Sequence, residues 1–273
     1  MKHHQAKKSL GQNFLNSKKV IFDIVKGAQL TKNDTVLEIG PGKGALTGQL
    51  CKNAGQIIAV EKDRDLIEFL TEKFKEEIAA GTLVLIEGDI ISFDPKKYGL
   101  VSHGYKIVAN IPYYITGEIL EKFLSNEIQP ERMVLLIQKE VAVRIAAKNK
   151  KESILSLSVK VFGTPVILRM VPASFFSPRP KVDSAVLLIK DISRKYFTQQ
   201  EERLFFTLIK AAFRHKRKQI MNNIGKLCSK KQLEKIFEKQ NHPPAIRAED
   251  LSMGDWIEIT KAFCPSLLTT REK

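Results

Sequence analysis

Two hydrophobic rhythms run through this chain. The runs Thr35–Ile39, Gln56–Val60, Thr82–Glu87, Tyr105–Ala109 and Met133–Gln138 are rich in Val, Ile and Leu and too short for helices, so they read as buried strands. Between them apolar residues return at helical spacing. Val20, Ile21, Ile24, Val25 and Ala28 do so after Ser17, whose hydroxyl suits an N-cap, which predicts an amphipathic helix before the first strand. Strand and helix in alternation predict an α/β fold with a mainly parallel sheet covered on both faces. Val166–Val171 and Ser184–Ile189 are two more strand-like runs, with the proline-rich Phe176–Pro180 between them. Beyond about Ile192–Thr198 the pattern turns helical and strand-like runs stop, which predicts two domains, 1–192 and 193–273. There is no internal repeat and no low-complexity linker.

The glycines come where strands end. Gly40-Pro41-Gly42-Lys43-Gly44 follows the first strand directly and precedes the helical stretch Ala45–Asn53. Glycines there let the backbone pass close to a ligand and leave a helix N-terminus facing it. The second strand ends in Glu61, about 20 residues beyond Gly40, where a carboxylate can accept hydrogen bonds from ribose hydroxyls. The third ends in Gly88-Asp89, where an Asp can accept from an adenine amino group. Gly40, Gly42 and Ala45 also fit the dinucleotide fingerprint with alanine in its last place, so the loop alone leaves a nicotinamide enzyme open.

The fourth strand brings Asn110-Ile111-Pro112-Tyr113. An amine conjugated to a nucleobase ring is a poor nucleophile because its lone pair is delocalised into the ring. An amide oxygen and a main-chain carbonyl aimed at the two N–H hydrogens favour a tetrahedral nitrogen with a localised lone pair. Proline stiffens the turn, and tyrosine offers a face on which the base stacks. A strand ending in a Pro turn with a buried Tyr is the plainer reading of the four residues. Glu38-x-Gly40-x-Gly42-x-Gly44, Glu61, Asp89 and the tetrad, in that order, point to S-adenosylmethionine, since a dehydrogenase has no use for the last element.

With these residues in view, the chain resembles the KsgA-type small-subunit rRNA adenine N6,N6-dimethyltransferases from about Lys8 to about Phe263. Lys8 to Leu15 is similar to the family's N-terminal cofactor motif, and Phe176 to Ser184 to its second base-stacking motif. Phe213–Ile224 and Arg247–Ser252 resemble its C-terminal signatures. One departure is Lys216-Arg217-Lys218, where the family commonly has paired arginines before a lysine, which alters possible bidentate phosphate contacts. The resemblance implies a class I methyltransferase, Rossmann-like with a seven-stranded mixed sheet and one antiparallel strand, followed by a small helical rRNA-recognition domain. It implies that Asn13, Leu15, Gly40, Glu61, Asp89 and Asn110 hold S-adenosylmethionine, Leu15 mainly through its backbone, with no metal. Asn110, Pro112, Tyr113 and Phe176 would form the catalytic group, with the adenine between Tyr113 and Phe176. The implied substrate is a pair of adjacent adenosines near the 3′ end of small-subunit rRNA, in an assembling subunit, with the protein acting as a monomer. Two alternatives stand beside it. One is a large-subunit rRNA dimethyltransferase of the macrolide-resistance type, against which the C-terminal signatures argue. The other is a mainly non-catalytic assembly factor, against which the intact tetrad argues.

Composition agrees. At 273 residues and 43% hydrophobic content the chain can bury a full α/β core and carry an appended domain. A net charge of +15 at pH 7 calls for a polyanionic partner, and RNA is the natural one. Basic residues outnumber acidic ones in Asp191–Lys273, and Arg214, Lys216, Arg217 and Lys218 cluster after the apolar stretch Leu204–Phe213, where two helices are expected to meet. Phosphate binding is the functional reading of that cluster, and stabilisation of a helix end by its dipole is the plain one. Lys7 and Lys8 are expected either to touch RNA or to form a basic tail. No apolar run approaches a membrane span, and the polar start Met1–Ser9 lacks a signal-peptide core, so a cytoplasmic protein is expected. Cys51, Cys228 and Cys264 form no Cys-x-x-Cys pair, and His3 and His4 read as solvated, which fits a reducing compartment and no zinc site.

Overall fold

The computed structural model describes residues 6–7, 10–147, 149–215, 217–225 and 227–268. Its elements begin with β1 (Phe14–Leu15), α1 (Lys18–Ala28), β2 (Thr35–Ile39), α2 (Thr47–Asn53), β3 (Gln56–Glu61), α3 (Arg64–Lys73), α4 (Lys75–Ala79), β4 (Leu83–Glu87) and β5 (Tyr105–Asn110). They continue with α5 (Thr116–Leu124), β6 (Arg132–Gln138), α6 (Lys139–Ala146), α7 (Ile154–Lys160), β7 (Thr164–Val171), β8 (Phe176–Ser177) and β9 (Ser184–Lys190). The helices α8 (Gln199–Ala212), α9 (Ile220–Ile224), α10 (Lys230–Lys239) and α11 (Met253–Leu268) close the chain.

Seven strands form one sheet in the order β4-β3-β2-β5-β6-β9-β7, and β9 alone runs against its neighbours. This is the mixed class I methyltransferase sheet expected from sequence. Its central strands are buried along almost their whole length, as a parallel sheet covered by helices requires: Leu37, between Ile58 and Ile107 in register, is fully buried. Ser17 caps α1 as expected, its hydroxyl accepting from the Val20 N–H at 3.4 Å. The second helix starts later than its hydrophobic pattern suggests, at Thr47 rather than Ala45. Gly42 and Gly44 have φ of +57° and +73°, which no α-helix accommodates, so 42–46 is a turn and the helix begins beyond it. A Cβ on Gly44 would also lie 2.4 Å from the Phe74 ring.

Two short strands escaped the sequence pattern. β1 and β8 pair antiparallel, Phe14 opposite Ser177 and Leu15 opposite Phe176. Two-residue strands have no periodicity to read.

Contacts divide the chain into two units, Met1–Val143 with Gly163–Ser193, and Arg144–Phe162 with Arg194–Lys273. The linear division at 192/193 therefore differs from this one by the segment 144–162, whose partners lie late in the sequence. Lys151 pairs with Asp250 and with Glu249, and the Glu152 N–H donates to the Glu249 carbonyl at 2.8 Å. Phe162 stacks near Phe206, with centroids 6.2 Å apart. Within this second unit a Thr198–Glu201 capping box starts α8, and Trp256 of α11 is fully buried against the Phe213 ring.

Candidate functional site

The chain moves from β2 to β3 and β4 on one side of the sheet, then returns to place β5 on the other side of β2. The crevice beyond the C-terminal ends of such strands is where ligands bind in open α/β sheets. Here it is a cavity of about 390 Å³ within the first unit. Gly40 follows β2, Glu61 ends β3, Asp89 follows β4, and Asn110, Pro112 and Tyr113 follow from β5; all six line it, together with Asn13 and Leu15. Eight residues singled out from sequence thus meet in one cavity, although up to 100 positions separate them.

At the β2–β3 end, Gly40 has φ of +65°, and the nearest atom to a Cβ built there is the Asn110 carbonyl oxygen, 4.0 Å away. The floor beside it is open. Glu61 is 7% exposed and held at both oxygens: Oε2 accepts the Gly42 N–H at 3.1 Å, and Oε1 accepts the Lys62 and Asp63 N–H groups at 2.9 and 3.0 Å. Burial raises its pKa, and those three N–H donors oppose the rise. Glu38, one layer deeper, is 1% exposed, and its Oε2 has no hydrogen-bond partner among the described residues. Burial, aided by the neighbouring Glu61 charge, pushes its pKa up to about 8, so it is largely protonated at neutral pH. Asp89 behaves oppositely. The Lys62 ammonium at 2.8 Å and the Ile91 N–H at 2.9 Å hold its carboxyl below the ordinary range.

At the β5 end, the Asn110 amide nitrogen donates to the Asn13 carbonyl at 3.0 Å. That bond identifies the NH₂ end and uses one of its two N–H groups, and Oδ1 is the acceptor end. Tyr113 is fixed by a 2.7 Å hydrogen bond between its hydroxyl and Ser184 Oγ. Ser184, fully buried, is the last residue of the Phe176–Ser184 motif, which gives that motif a contact with the tetrad. Phe176 is placed differently. It is 4% exposed, belongs to the apolar core with Val171 and Val186, and does not line the cavity. Its pairing with Leu15 holds it there.

Two cavity residues carry no sequence signal of their own, Lys62 and the exposed Tyr114, and Gln12, inside the Lys8–Leu15 motif, has no role assigned to it there. Lys7, expected on RNA or in a tail, is instead occupied by Asp63 and Asp65, at 2.6 and 2.7 Å. Lys8, His3, His4 and Lys216 lie outside the described residues. Among those described, no group of three or more His, Cys, Asp or Glu side chains is arranged to hold a metal ion.

The basic cluster lies in the second unit, in the connection between α8 and α9. Arg214, Arg217 and Lys218 are all exposed there. The end of α8 is closed by Asn223, whose amide nitrogen donates to the carbonyls of Ala212 at 2.6 Å and His215 at 3.2 Å.

Comparison with known proteins fits this geometry. A family model described as ribosomal RNA adenine dimethylase matches residues 3–264. A ribosomal RNA small subunit methyltransferase A of Dehalococcoides mccartyi (strain CBDB1) is 42% identical over 254 residues, covering 92% of this chain and 86% of that one. A protein of the same name from Fusobacterium nucleatum is 40% identical over 261 residues, covering 94% and 97%. Among solved structures, a dimethyladenosine transferase from Plasmodium falciparum superposes with a TM-score of 0.75 at 25% identity, covering 91% of this chain and 98% of that one. The 23S rRNA methyltransferase ErmE does so with a TM-score of 0.79 at 22% identity, covering 92% and 99%, a likeness of fold. The match across nearly the whole chain, with the cavity at the ends of the strands, places this chain in the ribosomal RNA adenine dimethylase family, which draws its methyl groups from S-adenosylmethionine.

Proposed function

We propose that this chain dimethylates the N6 amines of two adjacent adenosines in the 3′-terminal hairpin loop of small-subunit (16S) rRNA, acting as a monomer on an assembling subunit in the cytoplasm. The observation that carries this reading is the Asn110 side chain. One N–H of its amide is taken by the Asn13 carbonyl, and the residue lines a cavity that also holds the oriented Glu61 carboxylate, where Oδ1 can accept from a bound amine. The small-subunit assignment draws on the relatives' shared name and on the C-terminal signatures, whereas the likeness to ErmE concerns fold. Among the described residues no helix is long and apolar enough to cross a membrane.

The residues fit the cofactor. Glu61, already held by three backbone N–H groups, keeps a lone-pair site on Oε2 for a ribose hydroxyl, and Asp89 suits the adenine amino group. Asn13, Leu15, Gly40 and Asn110 complete that set. S-adenosylmethionine supplies a methyl group activated for in-line displacement, so the protein's task is alignment.

Asn110 Oδ1 and a main-chain carbonyl accept the two N–H hydrogens of the target amine, which localises its lone pair. The Pro112 carbonyl already accepts the Ile115 N–H at 3.3 Å, which favours Ile111 as the second acceptor. Tyr113, steadied by Ser184, stacks on the adenine, and Phe176, opposite Leu15 in the β1–β8 pair, is the residue that the family resemblance assigns to the other face. The base must leave its own stack to enter, which favours a hairpin tip over duplex. No general base is needed, because the methylated nitrogen is strongly acidic and loses its proton to water or along Asn110. After one transfer a single N–H remains, so the pocket must accept a methyl group where the second acceptor stood.

Labelled S-adenosylmethionine, incubated with the protein and either immature small subunits or large subunits, tests the proposal. Label on adenosines of the small subunit is expected. Label confined to large subunits would replace it with the macrolide-resistance reading, and label on neither would favour a non-catalytic assembly role.

A further inference from the structure

The segment Leu10–Asn16 forms one wall of the cavity, and three anchors hold it. Phe14 and Leu15 pair with β8, and the Asn13 carbonyl accepts from Asn110. The third anchor is a small polar network. Gln12 Nε2 donates to one Asp63 oxygen at 2.7 Å, Lys7 Nζ reaches the other at 2.6 Å, and Gln12 Oε1 accepts the Lys7 N–H at 2.8 Å. Gln12 therefore uses one end of its amide to hold the Lys7 backbone and the other to tie the segment to the Asp63 carboxylate.

That carboxylate is unusual. The Asp63 side chain is fully buried, and burial alone would raise its pKa, yet Lys7, Gln12 and the Asp65 N–H outweigh burial and hold it below the ordinary range. A buried charge stabilised largely by a terminal segment makes that segment's closed position the favourable one, because lifting it leaves the carboxylate short of donors. Asp63 also touches the cofactor end directly, its N–H donating to Glu61 Oε1 at 3.0 Å.

We infer that Gln12, Lys7 and Asp63 are positioning residues for S-adenosylmethionine: they fasten the wall carrying Asn13 and Leu15 across the cavity and tie it to the turn that orients Glu61. This rests on the cofactor roles of Asn13, Leu15 and Glu61 proposed above. Lys7 serves here as an internal tether and not as an RNA contact.

Calorimetric titration with S-adenosylmethionine and with S-adenosylhomocysteine tests this on Gln12→Met, Lys7→Met and Lys7→Arg, each with its melting temperature and RNA affinity measured alongside. Gln12→Met is expected to weaken both ligands by roughly tenfold or more, the scale of a hydrogen bond to a charged group. Lys7→Met, whose ion pairs are partly exposed, should weaken them a few-fold, and Lys7→Arg should restore most of that. At saturating cofactor kcat should stay within about twofold of wild type while KM rises, because the bound cofactor draws the wall closed again. Asp63→Asn combined with Gln12→Met should do little more than the stronger of the two. A lowered melting temperature with unchanged cofactor affinity would make the network merely structural and overturn the inference. So would a loss of RNA affinity on Lys7→Met with cofactor binding intact. Wild-type protein that bound no S-adenosylmethionine would instead overturn the functional reading, and the inference with it.

Discussion

Glu38, Glu61 and Asp63 in the first unit and Arg214, Arg217 and Lys218 in the second are both local concentrations of ionisable groups, in opposite surroundings. The three carboxyl groups are buried, and Glu61 and Asp63 are oriented by donors at 2.7 to 3.1 Å. The three cations are exposed, on a connection whose helix end is already satisfied by Asn223. Buried groups in a low-dielectric site act singly, and their geometry sets their strength. Exposed cations act collectively, are screened by salt, and tolerate imprecise placement. One region is built to align atoms and the other to attract a polyanion, and substitutions should separate the two by size and by salt dependence.

The sharpest test falls on the tetrad. Asn110→Ala is expected to lower the single-turnover methyl transfer rate by about 10²–10³, the effect of removing one preorganised donor or acceptor from a transition state. RNA affinity should hardly move. A rate within about twofold of wild type would remove the amine-orienting role from Asn110.

Phe176 tests where alignment ends and packing begins. Phe176→Leu keeps most of the core volume and should lower stability by about 1 kcal/mol. An aliphatic side chain cannot stack like a ring, so capture of the target base should weaken as well, within the roughly 1–3 kcal/mol of one base–aromatic contact. Equal base capture in variant and wild type, with only the stability loss, would leave Phe176 as core alone.

Legibility in the sequence followed the range of the contacts. The sheet strands were readable to within one or two residues, because a buried parallel strand announces itself by its own composition: β2 begins and ends where its apolar run does. Glu61, Asp89 and the tetrad were readable for a related reason, since each sits at the end of such a strand. What the pattern missed depends on partners far away in the chain. Tyr113 finds Ser184 across 71 positions and Lys7 finds Asp63 across 56, and no periodicity encodes either. The grouping of 144–162 with the helical unit rests on Lys151 and Glu152 meeting Glu249 and Asp250, a long-range pairing between polar stretches. Phe176 reads the same in sequence whether its ring faces a ligand or the core. Its burial in the apolar core beside Val171 and Val186 distinguishes them.

Glu38 offers a pH test of burial in the cavity. With its folded pKa raised from 4.5 to about 8, the native state binds more protons than the unfolded chain between those values. Its contribution is therefore fully present below 4.5 and is lost as pH rises through about 8. Glu61, also raised by burial, acts in the same direction, so the difference between two proteins isolates Glu38. Melting temperature against pH should fall less steeply for Glu38→Gln than for wild type across that window. Parallel curves would mean that Glu38 is charged in the folded protein.

The smallest effect per residue is expected from the basic connection, where the two explanations of its charge make different demands. If Arg217 and Lys218 contact rRNA phosphates, Arg217→Gln/Lys218→Gln weakens binding to every RNA sequence. It also flattens the plot of log affinity against log salt by about 0.7–0.9 per lost contact. Cofactor affinity and melting temperature stay near wild type. If the cations serve only the dipole of α8, the double variant loses about 0.3–1 kcal/mol per residue in stability and the slope is unchanged. Asn223 already donates to the Ala212 carbonyl at that helix end, so the cations are not needed to satisfy that group. An unaltered slope on assembling small subunits, together with a lower melting temperature, would nonetheless reject the RNA contact and return the cluster to a structural role.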